Sequence, residues 1–249
     1  MHPAAPYPPG APTVAVVLAG GTGARMGAPM PKQLIEVGGK PVLRHTLEAF
    51  EAAPRIDRIV VVMAEEHRSA VAPMAEAAGA AKLAGVIAGG ADRSASSRAA
   101  IDWALDLVGP GGDCKILLHD AARMLVSERI IADVVAALDR HDAVGVAVAS
   151  ADTVVEVTAE EDGSEFVAAV PERSSLRRVQ TPQGFRLSVI AAAYEAASAD
   201  PGFKATDDCS VVLRYLPHVP VAVVAGEERN LKVTTPLDLV VAEALLAEP

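Results

Sequence analysis

Short runs of β-branched and other apolar residues recur along the chain, and polar residues do not alternate within them. Such continuous runs are typical of strands that are buried on both faces of a mostly parallel sheet. Between the runs, apolar residues spaced three and four positions apart predict amphipathic helices. The predicted strands cover residues 13–18, 58–63, 115–118, 143–149 and 219–224, and the predicted helices cover 41–51, 65–78, 94–107, 127–140 and 187–197. This alternation predicts an α/β fold built from strand–helix–strand crossovers.

The last helix has clear start signals. Thr235 can act as its N-cap, Pro236 fits the first turn, and the carboxylate of Asp238 can meet the free amides at the positive end of the helix dipole. We expect this helix to extend to about Leu246.

One segment departs from the strand–helix rhythm. Residues 152–170 read DTVVEVTAEEDGSEFVAAV, two β-rich pieces around a Glu-Glu-Asp-Gly turn, which predicts a hairpin. No fixed-period repeat and no long linker divides the chain. We therefore predict one domain over residues 13–249 with residues 150–172 as a projecting dimerisation arm, hereafter the arm. The Pro/Ala-rich residues 1–12 are expected to form a disordered tail.

Composition narrows the possible partners. The 22 basic and 32 acidic residues give a formal charge of −10, which disfavours nucleic acid and anionic membranes. No apolar stretch approaches the roughly 20 residues that span a bilayer, and no secretory signal is recognisable. The two cysteines, Cys114 and Cys209, lack metal-site or disulfide spacing. We expect a cytoplasmic protein that binds neither nucleic acid nor membrane.

A glycine-rich segment follows the first predicted strand. Residues 19–27 read AGGTGARMG, and a backbone so poor in β-carbons can direct several N–H groups at phosphate oxygens. Arg25 and Lys32 add two cations. The dinucleotide fingerprint fails because Met26 stands where it needs glycine, and the Gly-Lys-Ser/Thr of a P-loop is absent. The segment therefore predicts a polyphosphate site, and a flexible surface turn is the alternative.

Asp120 follows another predicted buried strand, within the sequence His119-Asp120-Ala121-Ala122-Arg123. A carboxylate at the carboxyl end of such a strand, close to a phosphate loop, is suited to bind magnesium. The alternative is that Asp120 caps the next turn and pairs with Arg123. His119 is interpreted as a structural hydrogen-bonding residue.

Seven motifs together carry a resemblance to a known family. They are LAGGTGARMG with PKQ, GGADRSASS, HDAAR, ADT, RVQTPQGF, TDD and LKVTTPLDL. In this order and spacing the chain resembles the cytidylyltransferases that act on sugar-alcohol phosphates, from about Val14 to Leu246. The resemblance implies a Rossmann-like, mostly parallel sheet of the nucleotide-diphospho-sugar transferase type. It also implies Mg²⁺-dependent transfer of CMP from CTP to a polyol phosphate, with release of pyrophosphate.

The resemblance also implies roles for individual residues. Arg25, Lys32 and Lys232 would contact phosphate groups and stabilise the transition state, and Asp120 would bind Mg²⁺. Thr153 and Arg173 would bind the polyol phosphate from the arm of the partner subunit in a homodimer. The residues expected to bind the nucleotide are Ala19, Gly20, Gly21, Thr22, Gly23, Gly90, Ala91, Ser96 and Ala121.

Each of these roles has a plainer alternative. Ser96 could only cap a helix, Lys232 could be a solvated lysine, and Arg173 could pair with Glu172 at the surface. The family's second metal carboxylate has no clear match, and Glu227 or Glu228 is the candidate. For the whole chain, a non-catalytic nucleotide-binding module and an NAD-dependent dehydrogenase, with Glu65 as the ribose ligand, are the competing functions.

The acceptor is left open between two branches of the family. The spelling of the HDAAR and RVQTPQGF motifs favours 2-C-methyl-D-erythritol 4-phosphate, the acceptor of isoprenoid biosynthesis. The LAGG motif and Val155, which stands where many methylerythritol enzymes have lysine, favour ribitol 5-phosphate.

Overall fold

The computed structural model describes residues 6–21, 31–200, 202–203 and 205–247. The strands are Thr13–Leu18 (β1), Glu36–Val37 (β2), Lys40–Pro41 (β3), Arg58–Met63 (β4), Leu83–Ala88 (β5), Lys115–Asp120 (β6), Ala143–Ala149 (β7), Glu156–Ala159 (β8), Glu165–Ala169 (β9), Arg177–Arg186 (β10) and Val221–Ala225 (β11). The α-helices are Val42–Ala52 (α1), Val71–Ala77 (α2), Arg93–Val108 (α3), Glu128–Ala137 (α4), Leu187–Ser198 (α5), Asp208–Tyr215 (α6) and Pro236–Ala247 (α7). Short 3-10 helices cover Lys32–Leu34, Glu65–Ala70 and Arg173–Ser175.

Seven strands form the central sheet, in the order β11-β7-β10-β6-β1-β4-β5. All neighbouring strands in it are parallel except those beside β10, which runs antiparallel to both β6 and β7. The predicted α/β fold with a mostly parallel, helix-flanked sheet is therefore confirmed. The reversal at β10 brings its middle residues, around Thr181, beside the end of β6.

The core lies on both faces of this sheet, as the continuous apolar strands predict. Alternate residues of β1 contribute to opposite sides, with Ala15 and Val17 in one cluster and Val14 and Val16 in the other. Helices α1 and α4 pack on the first face, and α3, α5 and α6 pack on the second. Such burial on both faces holds the strand ends rigidly, which suits a site built there.

Several elements differ from the sequence-based expectation. The predicted helix 65–78 is a 3-10 helix followed by α2, and the strand predicted over 115–118 extends to Asp120. Strands β5 and β10 and helix α6 were not predicted. Residues 6–12 form no helix or strand, yet the ring of Tyr7 lies 3.9 Å from the guanidinium carbon of Arg186.

The arm contains the predicted hairpin, formed by the antiparallel strands β8 and β9. Every residue from 151 to 170 is exposed, including Val157, Phe166 and Val167. Both cysteines are buried and free, as their spacing predicted. Among the described residues, no helix has the length and apolar character needed to cross a bilayer.

Candidate active site

A cavity of about 400 Å³ opens at the carboxyl ends of β1 and β6. These two strands are paired so that Leu18 lies opposite Asp120, which brings the glycine-rich segment and the predicted metal ligand together. Nucleotide sites of parallel α/β sheets occur at this edge. The described residues that line the cavity are Leu18, Gly20, Gly21, Lys32, Gln33, Gly90, Ala91, Asp92, Arg93, Ser96, Asp120, Ala122, Lys232 and Thr234.

Asp120 is the negatively charged centre of the cavity. Its Oδ1 accepts from Arg93 Nε at 3.2 Å and its Oδ2 accepts from Lys232 Nζ at 2.7 Å. Burial by itself raises the pKa of Asp120, but the charges of Arg93 and Lys232 outweigh it and hold that pKa far below its usual range. Asp120 is therefore ionised at any physiological pH.

The backbone beneath Asp120 is fixed by a chain of hydrogen bonds. Its N–H donates to Thr181 Oγ1 at 3.0 Å, and Thr181 Oγ1 lies 3.1 Å from His119 Nδ1. His119 Nε2 lies 3.2 Å from the Arg123 carbonyl oxygen, which can only accept, so the proton is assigned to Nε2. Burial lowers the pKa of His119 to about 4. His119 is thus a neutral structural residue, as the sequence predicted.

The guanidinium of Arg123 does not pair with the carboxylate of Asp120. Its Nη1 donates to the Asn230 carbonyl oxygen at 2.7 Å and its Nη2 donates to the Val179 carbonyl oxygen at 3.1 Å. The pairing half of the alternative, in which Asp120 caps the next turn and pairs with Arg123, is therefore wrong. The turn itself is closed by the backbone, since the Arg123 N–H donates to the Asp120 carbonyl oxygen at 2.9 Å. Arg123 instead ties the turn after β6 to β10 and to the segment before Lys232.

Lys32 and Lys232 reach the cavity from opposite ends of the chain. Lys32 belongs to the 3-10 helix Lys32–Leu34, is largely buried, and donates through Nζ to the Val233 carbonyl oxygen at 2.8 Å. Val233 in turn donates its N–H to the Ala122 carbonyl oxygen at 2.9 Å. Two cations separated by 200 positions in sequence are thereby held on one side of the cavity, a suitable arrangement for a polyanion.

Helix α7 begins directly beside Lys232. Asp238 Oδ2 accepts from the N–H and the hydroxyl of both Thr234 and Thr235, at 2.7–3.0 Å. This matches the predicted start of the helix, in which a carboxylate binds free amides. Asp238 thereby holds Thr234, which lines the cavity, and with it the backbone close to Lys232.

Another wall of the cavity is a tight corner between β5 and α3, which contains Gly90, Asp92 and Ser96. Asp92 is the N-cap of α3 and accepts from the Ala95 N–H at 2.8 Å. Ser96 is not the cap, because its hydroxyl donates to the Asp92 carbonyl oxygen and accepts from the Gly90 N–H at 3.2 Å. A Cβ on Gly90 would lie 2.2 Å from that of Ala95, so only glycine fits there.

Arg93 and Gln33 are among the cavity residues for which the sequence predicted no role. Arg93 links Asp120 to the fully buried Asp208 through a 2.7 Å ion pair with Asp208 Oδ2. Gln33 is 2% exposed, and its Oε1 has no hydrogen-bond partner among the residues that the structure describes. Arg93 and Asp208 lie in the GGADRSASS and TDD motifs, which offered the only sequence signal for them.

Other predicted site residues lie elsewhere. Thr22, Gly23 and Arg25 fall outside the described residues. Ala19 and Ala121 are buried in the core, at 1% and 0% exposure, and their neighbours Gly20 and Ala122 line the cavity in their place. The backbone N–H groups of these two alanines are occupied by the carbonyl oxygens of Val62 and Leu18.

Neither Thr153 nor Arg173 lines the cavity of its own chain. Both are exposed, and Arg173 Nη1 donates to the Ala151 carbonyl oxygen at 3.4 Å rather than pairing with Glu172. Glu227 accepts from Ser127 and Arg129, and Glu228 pairs with Arg178. Neither glutamate lines the cavity, so the structure supports neither as a second metal ligand.

The donor set at Asp120 suits one kind of metal. Within the described ranges, no cluster of three His, Cys, Asp or Glu side chains could hold a cation by protein ligands alone. Magnesium commonly uses one or two carboxylates and completes its shell with substrate phosphates and water. The ionised carboxylate of Asp120, beside a cavity lined by Lys32 and Lys232, fits a cation that arrives with a polyphosphate.

The family of the chain follows from comparison with known proteins. A family model described as IspD, 2-C-methyl-D-erythritol 4-phosphate cytidylyltransferase, matches residues 13–248. The chain is 53% identical over 232 residues to the 2-C-methyl-D-erythritol 4-phosphate cytidylyltransferase of Thermobifida fusca, covering 93% of this chain and 92% of that protein. It is 35% identical over 233 residues to the ribitol-5-phosphate cytidylyltransferase of Lactiplantibacillus plantarum, covering 93% and 97%.

Among solved structures, 4-diphosphocytidyl-2C-methyl-D-erythritol synthase from Anaerococcus prevotii matches with a TM-score of 0.81 at 31% identity, covering 96% of this chain and 97% of that one. The match extends over the sheet, the helices that flank it and the strand ends that carry the cavity. The chain therefore belongs to the 2-C-methyl-D-erythritol 4-phosphate cytidylyltransferase family of nucleotidyltransferases.

Proposed function

We propose that this enzyme transfers CMP from CTP to 2-C-methyl-D-erythritol 4-phosphate in a Mg²⁺-dependent reaction that releases pyrophosphate. The observation that carries the proposal is the grouping of Lys32, Lys232 and Asp120 around a cavity partly walled by the bare backbone of Gly20 and Gly21. This grouping offers fixed cations, a metal ligand and room for a triphosphate.

The reaction needs little proton transfer from the protein. A phosphate monoester has a second pKa near 6, so the acceptor is already a nucleophile at neutral pH. The residues must instead hold its oxygen in line with the α-phosphorus of CTP. Lys32 and Lys232 would stabilise the negative charge that develops on the phosphorus centre and the departing pyrophosphate.

Asp120 would hold the magnesium ion, which when bound neutralises charge on the phosphate oxygens and orients them. Arg93 and Lys232 already contact the two oxygens of this carboxylate, so its position is fixed before any ligand arrives. Gly90 and Ser96 would form the wall against the base, because their corner is rigid and narrow. A rigid wall of this kind can exclude the larger purines by shape.

The arm is proposed to complete the acceptor site of a second subunit in a homodimer. Its exposed Val157, Phe166 and Val167 give an isolated two-stranded hairpin an apolar surface that a partner would cover. Thr153 and Arg173 lie at the base of this hairpin, where they would meet the acceptor phosphate held by the partner.

Ribitol 5-phosphate is the second candidate acceptor. It is favoured by the relative from Lactiplantibacillus plantarum and by Val155, which places no cation two residues after Thr153. Methylerythritol phosphate is preferred because the more similar relative, from Thermobifida fusca, carries that activity in its name.

One assay tests these proposals together. Purified protein is given CTP and Mg²⁺ with each polyol phosphate separately, and pyrophosphate release is measured. We expect release with methylerythritol phosphate, a strong decrease when EDTA replaces Mg²⁺, and at most slow release with ribitol phosphate. Faster release with ribitol phosphate would reverse the acceptor assignment, and no release with either would refute both.

A further inference from the structure

Asp208 is a buried carboxylate of the TDD motif that the proposed reaction does not use. It is 0% exposed, it accepts from the Tyr194 hydroxyl at 2.7 Å, and its N–H donates to Gln183 Oε1 at 2.9 Å. Its Oδ2 lies 2.7 Å from Arg93 Nη2. The side chain is therefore fixed at the first turn of α6. It contacts Arg93, which lines the cavity.

Arg93 joins Asp208 to the proposed metal ligand. Its Nε donates to Asp120 Oδ1 while its Nη2 faces Asp208, so a single planar guanidinium bridges two carboxylates. With Lys232 on the other oxygen of Asp120, the four side chains carry two positive and two negative charges. The cluster as a whole is therefore electrically balanced.

This balance matters for a carboxylate that must bind a divalent cation. Asp120 has two cationic partners, which together would over-neutralise one carboxylate and repel a metal ion. Asp208 offsets the charge of Arg93 from the buried side. Because side chains in this interior are poorly screened by water, one unit of charge there changes ion binding substantially.

We propose that Asp208 is a positioning residue that acts through Arg93 and balances the charge of its guanidinium beside Asp120, so that Asp120 can bind a divalent cation together with CTP. The inference rests on the proposed metal site at Asp120. It assigns to the TDD motif a role exerted through Arg93, without contact between Asp208 and the substrate.

The test measures CTP binding by calorimetry, without acceptor, in EDTA and again in Mn²⁺. We define the metal-dependent gain as the affinity for CTP in Mn²⁺ divided by the affinity for CTP in EDTA. Asp208→Asn keeps an oxygen for the Tyr194 hydroxyl but removes the charge. We expect the gain to fall roughly tenfold, while metal-free CTP binds equally or more tightly because the cavity gains positive charge. A merely structural defect would instead weaken CTP binding under both conditions.

A matched control on α3 is Asp102→Asn, which removes the same charge from an exposed pair with Arg98 and should leave both affinities unchanged. Arg93→Gln makes the opposite change of charge. We expect it to increase the metal-dependent gain and to weaken metal-free CTP binding, which keeps the proposal testable should Asp208→Asn not fold. Combining Arg93→Gln with Asp208→Asn should return the gain towards that of the parent.

The variant Asp120→Asn distinguishes a failure of the proposed metal site from a failure of the role proposed for Asp208. If it retains the full gain, the proposed metal site is wrong, and this inference fails with it. If Asp120→Asn loses the gain while Asp208→Asn keeps it, the role of Asp208 alone is refuted. Equal weakening of CTP binding by Asp208→Asn in EDTA and in Mn²⁺ would also refute it.

Discussion

The ammonium group of Lys232 contacts the carboxylate proposed to bind metal, yet 37% of its side chain is exposed. An ion pair with this exposure contributes at most about 1 kcal/mol to the free energy of unfolding. Stabilising charge in a transition state contributes more, roughly 3 to 4 kcal/mol per group. We therefore predict that Lys232→Met lowers kcat about 10²–10³-fold and changes unfolding stability little, as measured by turnover at saturating CTP and by urea denaturation.

Lys40→Met is the matched control for this prediction. Lys40 is a similarly exposed lysine, paired with Glu48 on α1 and remote from the cavity-lining residues. Its kcat should remain within about twofold of the parent, since surface substitutions away from a site change little. A comparable kcat in Lys232→Met and the parent would remove Lys232 from the mechanism.

The burial of His119 makes the free energy of unfolding depend on pH. Burial lowers its pKa from the usual 6.5 to about 4, so between these values the unfolded chain binds a proton that the folded chain does not. Stability from this group is therefore present above pH 6.5 and falls as the pH drops towards 4, by about 3 kcal/mol in total. We predict that His119→Gln removes this slope in urea denaturation at pH 7.5, 6 and 5. An unchanged slope would show that His119 titrates normally.

Single residues were predictable where a sequence feature marked them. Lys32, Asp120 and Lys232 stand in motifs that join a charge to the end of a strand or helix, and the structure brings them to one cavity. Asp208 lies in the TDD motif, but its role could not be predicted, because that role depends on contact with Arg93, 115 positions earlier. A single sequence does not contain the information on such a tertiary ion pair.

At the scale of elements, the corner between β5 and α3 depends on Gly90. A Cβ there would lie 2.2 Å from the Cβ of Ala95 and 3.0 Å from its carbonyl carbon, so the backbone must move. Movement would break the bond from the Gly90 N–H to Ser96. We predict that Gly90→Ala raises the KM for CTP about tenfold or more and lowers the melting temperature by a few degrees, since overpacking costs about 1–3 kcal/mol.

Gly85→Ala on β5 is the control, because its added Cβ would make only ordinary contact with Trp103, at 3.5 Å. Both kinetic constants and the melting temperature should be close to those of the parent. An unchanged KM for CTP in Gly90→Ala would mean that this corner does not bind the nucleotide.

The elements predicted best have a continuous apolar pattern, although the apolar strand β5 was missed. Strands β1, β4 and β7 are continuous apolar runs and were predicted with their observed bounds. Strand β10 was missed because its buried middle is polar, with Gln180, Thr181 and Gln183. The side chains of Gln180 and Gln183 bind backbone groups of the loop after β11 and of the start of α6, so their burial is satisfied only in the folded chain.

At the scale of the whole molecule, the alternation of strands and helices predicted an α/β sheet but not its strand order. Parallel crossovers place strand ends at one edge in any such order, which is why the site could be located there from the sequence. The position of β10 between β6 and β7 reverses one strand, and nothing in its polar sequence indicates this. The proposed assembly of two subunits is a further step, which we expect to depend on the arm.

The arm provides the test of assembly. Phe166 and Val167 are 55% and 63% exposed and lie on opposite faces of β9, so a partner that covers the hairpin would bury at least one of them. We predict that the double variant Phe166→Asp with Val167→Asp is monomeric in analytical ultracentrifugation, whereas the parent is a dimer. Because the described cavity belongs to one chain, its affinity for CTP should be unchanged, while the KM for the acceptor should rise about tenfold or more as the partner's contribution is lost.

Leu213→Asp is the control, because Leu213 is 56% exposed on α6, outside the arm. It introduces one negative charge, half of what the double variant introduces, into an equally exposed apolar position and should leave the dimer and both kinetic constants intact. A monomeric arm variant with the acceptor KM of the parent would contradict the shared site. A parent that is monomeric at assay concentrations and fully active would contradict the dimer itself, and Thr153 and Arg173 would then have no acceptor within reach.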